Sequence, residues 1–287
     1  MELELRSNYW SDDRDKKSFI RYIKNIFKLD FSLWNESGYW DDDYRPFSYF
    51  QDGEIVANTC IYSMPAIING RKTKIAQVSA VGTLPEHRMH GLGKKLSDLT
   101  LEYALKEHEF VMLFSSKEAL PFYKKMGFKN IPDYAHKALP LAMSPKKGLI
   151  KIDLKKSDEL RKLFSISKSR EAISNIFGNL NPKLLMFHAL YTITDFCYYI
   201  PQLETYVFMK REDQQLTLFD IVSKKLPAFD DLFPFLTDGK ETQILFRFYP
   251  DKFSLKTEIL ELQGNRAHVL GSQFNLEPFT IPYTSMA

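Results

Sequence analysis

Only two cysteines, Cys60 and Cys197, occur in 287 residues, too few for a disulfide framework, and neither stands in a metal-ligand spacing. No metal is therefore expected. No apolar run approaches the roughly 20 residues that cross a bilayer, so no membrane association is expected either. The opening residues Met1-Glu-Leu-Glu-Leu lack the pattern of a secretory signal, and the expected location is a reducing cytoplasm. Charge of one sign is missing too. Thirty-nine basic against thirty-six acidic side chains leave +3, too small and too dispersed for a nucleic-acid or membrane partner. What is present is apolar residues at 44%, enough for a full core, in a chain whose length suits two domains.

The most informative stretch is Gln77-Val-Ser-Ala-Val-Gly-Thr-Leu-Pro-Glu-His-Arg-Met-His-Gly-Leu-Gly93. It reads as an apolar strand, a proline-marked turn and a glycine loop that opens a helix. Such a junction leaves backbone N–H groups unpaired at the positive end of a helix dipole, which is an anion site that fits a pyrophosphate. Two common phosphate loops are excluded. The third glycine of Gly-x-Gly-x-x-Gly would fall on Leu96, and a triphosphate loop would need glycine at Arg88 and a hydroxyl at Lys95.

The spacing that fits, Arg88-x-x-Gly91-x-Gly93 after Val81, Thr83 and Pro85, resembles the acetyl-CoA loop of the GNAT N-acetyltransferase superfamily. A second segment strengthens the resemblance. Phe110 to Ser115 reads as a buried strand and leads into Lys117-Glu-Ala-Leu-Pro-Phe-Tyr-Lys-Lys-Met-Gly-Phe128, similar to the family's fifth strand and following helix. Gly127 serves as the helix stop. Between the two segments lies one helix, Gly91 to Glu107, with Leu92, Leu96, Leu99 and Tyr103 on one face. Upstream, Ser11 is placed to cap a helix over Asp12 to Phe27, and three β-rich runs over 46–83 turn at Asp52-Gly53 and Asn69-Gly70. The stretch Gly38 to Phe47 resembles a poorly characterised bacterial branch of the superfamily.

The expected fold is α+β: a GNAT fold over 1–143, with a mixed, mostly antiparallel sheet and flanking helices, then a second, smaller α+β domain over 144–287. The boundary falls at Leu141 to Gly148, where proline, glycine and two lysines interrupt the pattern. Beyond it, helices are expected over Asp158–Phe164, Phe187–Ile193 and Asp230–Leu236, a hairpin from Tyr206–Met209 and Leu216–Val222, and a strand over Thr242–Phe248. No glycine loop occurs there. The second domain is expected to be a degenerate, non-catalytic copy of the first.

The resemblance implies acetyl-CoA as co-substrate and an amine acceptor, on a small molecule or a peptide, in a monomer or homodimer. Backbone groups of Ala80, Val81, Gly82 and Thr83 would hold the pantetheine, and those of Arg88, Met89, His90, Gly91, Leu92, Gly93 and Lys94 the pyrophosphate, with Ser116 also at the cofactor. Tyr123 would protonate the departing sulfur; set against that is a tyrosine that merely packs. The general base is open between Glu54 acting through water, the terminal carboxylate at Ala287 as in some tandem relatives, and no dedicated base. For the acceptor, Trp40, Asp41, Asp42 and Asp43 offer carboxylates beside aromatic faces, suited to a cation. An acidic solvated loop held by its tryptophans is an equal reading. A non-catalytic acetyl-CoA sensor is the alternative function, because fold alone does not fix function.

Overall fold

The computed structural model describes residues 2–262, 267–271 and 280–287. The first half runs β1 (Glu4–Ser7), α1 (Asp13–Phe27), α2 (Ser32–Glu36), β2 (Tyr44–Gln51), β3 (Glu54–Ile68), β4 (Arg71–Thr83), α3 (Leu92–Glu107), β5 (Val111–Phe114), α4 (Leu120–Lys125), β6 (Lys129–Ile131) and β7 (Tyr134–Ala138). Next come β8 (Ile150–Lys151), α5 (Ser157–Ser167), β9 (Phe177–Asn179), α6 (Pro182–Tyr191), β10 (Cys197–Ile200), β11 (Thr205–Glu212) and β12 (Gln215–Val222). The last elements are α7 (Phe229–Leu236), β13 (Gln243–Phe246), β14 (Glu258–Glu261) and β15 (Ala267–Leu270). This is the expected α+β class, and every helix and strand expected from the pattern is present.

Local chemistry explains most boundaries. Asp52-Gly53 and Asn69-Gly70 take positive φ at both turn residues, 51° and 81° and then 49° and 75°, the twist that joins antiparallel strands tightly. Helix α1 is capped by Asp12, whose carboxylate accepts from the N–H groups of Arg14 and Asp15, rather than by Ser11. In α3 the buried face is Leu92, Leu96, Thr100, Leu101 and Ala104, so the helix is rotated from expectation and Leu99 points outward.

The two halves exchange strands. The first sheet has the order β1-β2-β3-β4-β5-β15-β6, with β9 added on β3; the second is β14-β7-β13-β12-β11-β10-β8. Strand β15 thus lies between β5 and β6, while β7 crosses to lie between β13 and β14. Neither sheet is built from residues on one side of the expected boundary at 143. Each sheet is antiparallel except for one central parallel pair among these neighbours, β4 with β5 and β12 with β13. In each, the strand that enters the parallel pair carries a register shift against its antiparallel neighbour. The two sheets share this feature.

The largest core cluster spans the halves: Phe19, Trp34 and Tyr62 share it with Leu184, Phe208 and Ile281. Each large apolar side chain removed from water here contributes roughly 1.5–3 kcal/mol.

Candidate active site

The site begins at a fault in the sheet. Asn58 on β3 faces Gly82 on β4 and Cys60 faces Ser79, so Ala80 and Val81 together oppose one residue. The extra residue is a β-bulge, and it bends the strand. Ala80 takes φ 51°, and its displaced carbonyl accepts a hydrogen bond of 2.8 Å from Asn58 Nδ2. Asn58 is itself fixed by Ser48 Oγ, which donates to its Oδ1 at 2.7 Å. Gly82 follows, where a Cβ would come within 2.7 Å of the Tyr22 hydroxyl of α1. Only glycine lets the helix approach so closely.

Strand β4 pairs with β5 over Ala76–Val78 alone, opposite Val111–Leu113. Past that point the strands splay, and the gap opens a cavity of about 410 Å³. One wall is Val78, Ser79, Ala80 and Val81 of β4; another is Phe114, Ser115, Ser116, Ala119 and Tyr123. The far wall is aromatic: Phe31, Trp34, Tyr44 and Tyr62 meet Leu184 and Phe187 of α6. Phe187 packs edge-on against Phe31 at 5.6 Å and Trp34 at 5.4 Å. The second half of the chain therefore completes the cavity of the first.

Tyr123 is 7% exposed, and burial pushes its phenol up to about 12, so it stays protonated at neutral pH. Beside it, Ser115 Oγ lies 2.9 Å from Nε2 of His268 on β15, whose ring centroid is 6.1 Å from that of Tyr123.

The loop after β4 supplies the other part. Met89 and Gly91 take φ 66° and 76°, and α3 starts without a side-chain cap. Among the described residues, its first N–H groups, from Met89 to Gly93, meet no backbone acceptor; the first to do so is Lys95, which donates to Gly91 O at 3.1 Å. Arg88 folds back, its Nε donating to Thr83 O at 3.1 Å. The result is a row of donors at a positive helix end.

The chain's last residues reach the same cavity. Gln77 Nε2 donates to Ser285 O at 3.0 Å, the Ala287 N–H donates to Gln77 Oε1, and Ala287 lines the cavity. His188 holds Met286 O at 2.7 Å through Nε2, which must carry the proton because a carbonyl only accepts. Thr284 Oγ1 donates to Asp220, which is paired with the buried Arg170.

Residues 17–131 match the family described as the Acetyltransferase (GNAT) domain. This stretch is a GNAT domain. The chain is accordingly an enzyme of the N-acetyltransferase type, with acyl transfer as its general chemistry. No curated protein matches the sequence. Similar solved structures cover both halves. A conserved Enterococcus faecalis protein of unknown function, described as a probable N-acyltransferase, has a TM-score of 0.60 at 12% identity over 93% of this chain and 72% of that one. Eis1 from Mycobacterium abscessus has a TM-score of 0.57 at 15% identity, over 93% and 73%. A GCN5-related N-acetyltransferase from Kribbella flavida has 0.55 at 15%, over 93% and 71%. At these identities the likeness is one of fold.

Of the residues expected at the GNAT site, Ala80, Val81, Ser116, Tyr123 and Ala287 line the cavity, and Arg88 to Lys94 form the loop. Lys94 points along its helix to Asp98. Glu54 is not brought in: it sits at the start of β3, paired with Arg21 and accepting from Ser18 Oγ at 2.9 Å. Nor do Trp40, Asp41, Asp42 and Asp43 line the cavity. Trp40 packs on Trp10 at 4.5 Å and stacks on Trp34 at 5.7 Å, Asp41 is held by Lys183, and Asp42 and Asp43 are exposed. Among the described residues no helix is long and apolar enough to cross a membrane. The sequence reading missed Phe31, Tyr62, Leu184 and Phe187, whose signal is only apolar periodicity and so cannot be told from core.

Proposed function

We propose that this chain transfers an acetyl group from acetyl-CoA to a primary amine by direct attack in a ternary complex. One observation carries the reading: the strand whose bulge at Ala80 and Val81 lines the splayed β4–β5 cavity runs on, through a short turn, to an uncapped helix start rich in free N–H groups. GNAT enzymes generally use acetyl-CoA, and the two parts suit its two ends. The Arg88 to Lys94 loop, through its free N–H groups from Met89 on, takes the pyrophosphate, and the backbone from Ala80 to Thr83, with Ser116, takes the pantetheine and thioester.

The amine nitrogen attacks the thioester carbonyl. A C–N bond forms, the C–S bond breaks, and the products are the acetamide and CoA thiol. Val81 N–H polarises the carbonyl oxygen as it gains charge. Tyr123 gives its proton to the sulfur. The burial that raises the phenol also destabilises the departing thiolate, so the transfer is not opposed by the phenol's high value alone. The proton lost by nitrogen passes to solvent, with no dedicated base. The second half is read as a copy without a CoA site, because the β12–α7 connection has no glycine and Phe219 and Asp220 of β12 meet the tail at Tyr283 and Thr284.

The test is calorimetric titration of acetyl-CoA and CoA into the full chain, with thiol release measured over a panel of amines. Binding with amine-dependent release is expected. Binding without release would make the protein a sensor, and absence of binding would overturn the assignment of the loop.

A further inference from the structure

The wall facing the thioester end of the cavity holds no ionic side chain. Among the described residues its lining side chains include no Asp, Glu, Lys, Arg or His; the polar ones are the hydroxyls of Tyr44, Tyr62, Ser79, Ser115, Ser116 and Tyr123 and the indole N–H of Trp34. Several of those are already engaged. Ser79 Oγ donates to the Tyr44 oxygen at 3.3 Å, Tyr62 donates to Asn181 Oδ1 at 3.2 Å, and Ser115 is tied to His268. The carboxylates nearest in sequence, Asp41 to Asp43, stay outside, with Asp41 neutralised by Lys183.

A polyamine or amino sugar entering this space would lose water around each charge or hydroxyl and find few partners in return. An amine on an aromatic body meets the opposite situation. Its ring is removed from water among Phe31, Trp34 and Phe187, with the offset and edge-on geometries that aromatic rings prefer. The volume of about 410 Å³ is within the usual range for a small ligand. Burial also lowers the affinity of the amine for its proton, so the apolar wall delivers the nucleophile as the free base.

We infer that the acceptor is a primary amine carried on an apolar, aromatic skeleton, an arylalkylamine in class, and not a polyamine or amino sugar. The inference rests on the acetyl-transfer reading above. The amine loses one proton, gains the acetyl carbon and releases CoA thiol.

Thiol release by the full chain at saturating acetyl-CoA is compared for 2-phenylethylamine and tryptamine against putrescine, spermidine and glucosamine. The aromatic amines should lead in kcat/KM by about 100-fold, the scale of discrimination that an apolar pocket reaches. Equal or better turnover of the polyamines or glucosamine overturns the inference, as does binding of acetyl-CoA with no amine turned over. Failure of the wild-type chain to bind acetyl-CoA in calorimetry is a different result and condemns the cofactor site instead. Two variants put a carboxylate into the wall. Leu29→Glu alters a residue that is 45% exposed at the cavity and is therefore compatible with folding; Phe187→Glu alters the α6 side. Each should cut kcat/KM for the aromatic amines and raise it for putrescine, each by about tenfold, as a single favourable charge contact at intermediate dielectric allows. A gain on putrescine cannot come from misfolding. An unchanged preference in both variants would sink the inference.

Discussion

At the residue scale the proposed chemistry turns on Tyr123. It packs against Phe122 and Phe128, yet it also lines the cavity at the splay, so packing and proton donation are both open to it. Tyr123→Phe separates them, because the ring is kept and only the hydroxyl is lost. The expected result is a fall in kcat of about 100-fold, the lower end for a general acid, with CoA affinity unchanged by calorimetry. An unchanged kcat would return Tyr123 to a packing role. This residue was legible because the Phe-Tyr-x-x-x-Gly-Phe pattern marks it. The far wall of the cavity was not legible: an acidic run beside tryptophans looks like a cation site in one dimension, but in the fold it lies outside the cavity, and Asp41 spends its charge on Lys183, 142 positions away. Nothing in the local sequence announces that partner.

Among elements, the β4–loop–α3 unit was read almost completely, because a bulge, a turn and a helix start all depend on local backbone chemistry. Gly91 adopts φ 76° with no atom within 4 Å of where a Cβ would stand. Space is therefore not the constraint; backbone conformation is. A β-branched side chain resists the left-handed region by roughly 1–2 kcal/mol or more, and relaxing the strain would turn the Met89–Gly93 donors away from a common focus. Gly91→Val should weaken CoA binding at least tenfold in calorimetry while the melting temperature moves little. Full affinity in that variant would remove the anion-site assignment. Helix α3 shows the limit of such reading. Leu99 continues the spacing of Leu92 and Leu96, yet it is 37% exposed while Thr100 and Leu101 are buried. Periodicity defined the helix, whereas its rotation was set by what β3 and β4 offered to pack against.

For the whole molecule, β7 and β15 cross between the halves, so each sheet draws strands from both. Strand exchange has no signature in composition, since β15 is only Ala-His-Val-Leu, and its place between β5 and β6 is a long-range choice. A chain cut at 143 would leave the facing edges of β5 and β6 unpaired and would expose the apolar surface covered by α6. It should be insoluble or unfolded by circular dichroism; a monomeric, cooperatively melting 1–143 fragment would refute the exchange as a structural necessity. The same integration predicts how the protein responds to acid. His188, clamped to the tail, and His136 on β7 are both fully buried, and burial pushes each down to about 4. Unfolded, each would take a proton near its ordinary value of about 6.5. Between those limits the unfolded chain binds more protons than the folded one, so stability present above about pH 6.5 is lost as pH falls towards 4, on the order of 3 kcal/mol for each histidine. Urea midpoints measured from pH 7 to pH 5 should therefore drop steadily, in a window where ordinary carboxylates are still ionised. His136→Gln lies in the second sheet and away from the cavity, so it should remove only its own share of that slope, the rest staying with His188 and with His108, which burial also lowers, and leave turnover unaltered. A midpoint flat across the window would show that these rings do not resist protonation in the folded state.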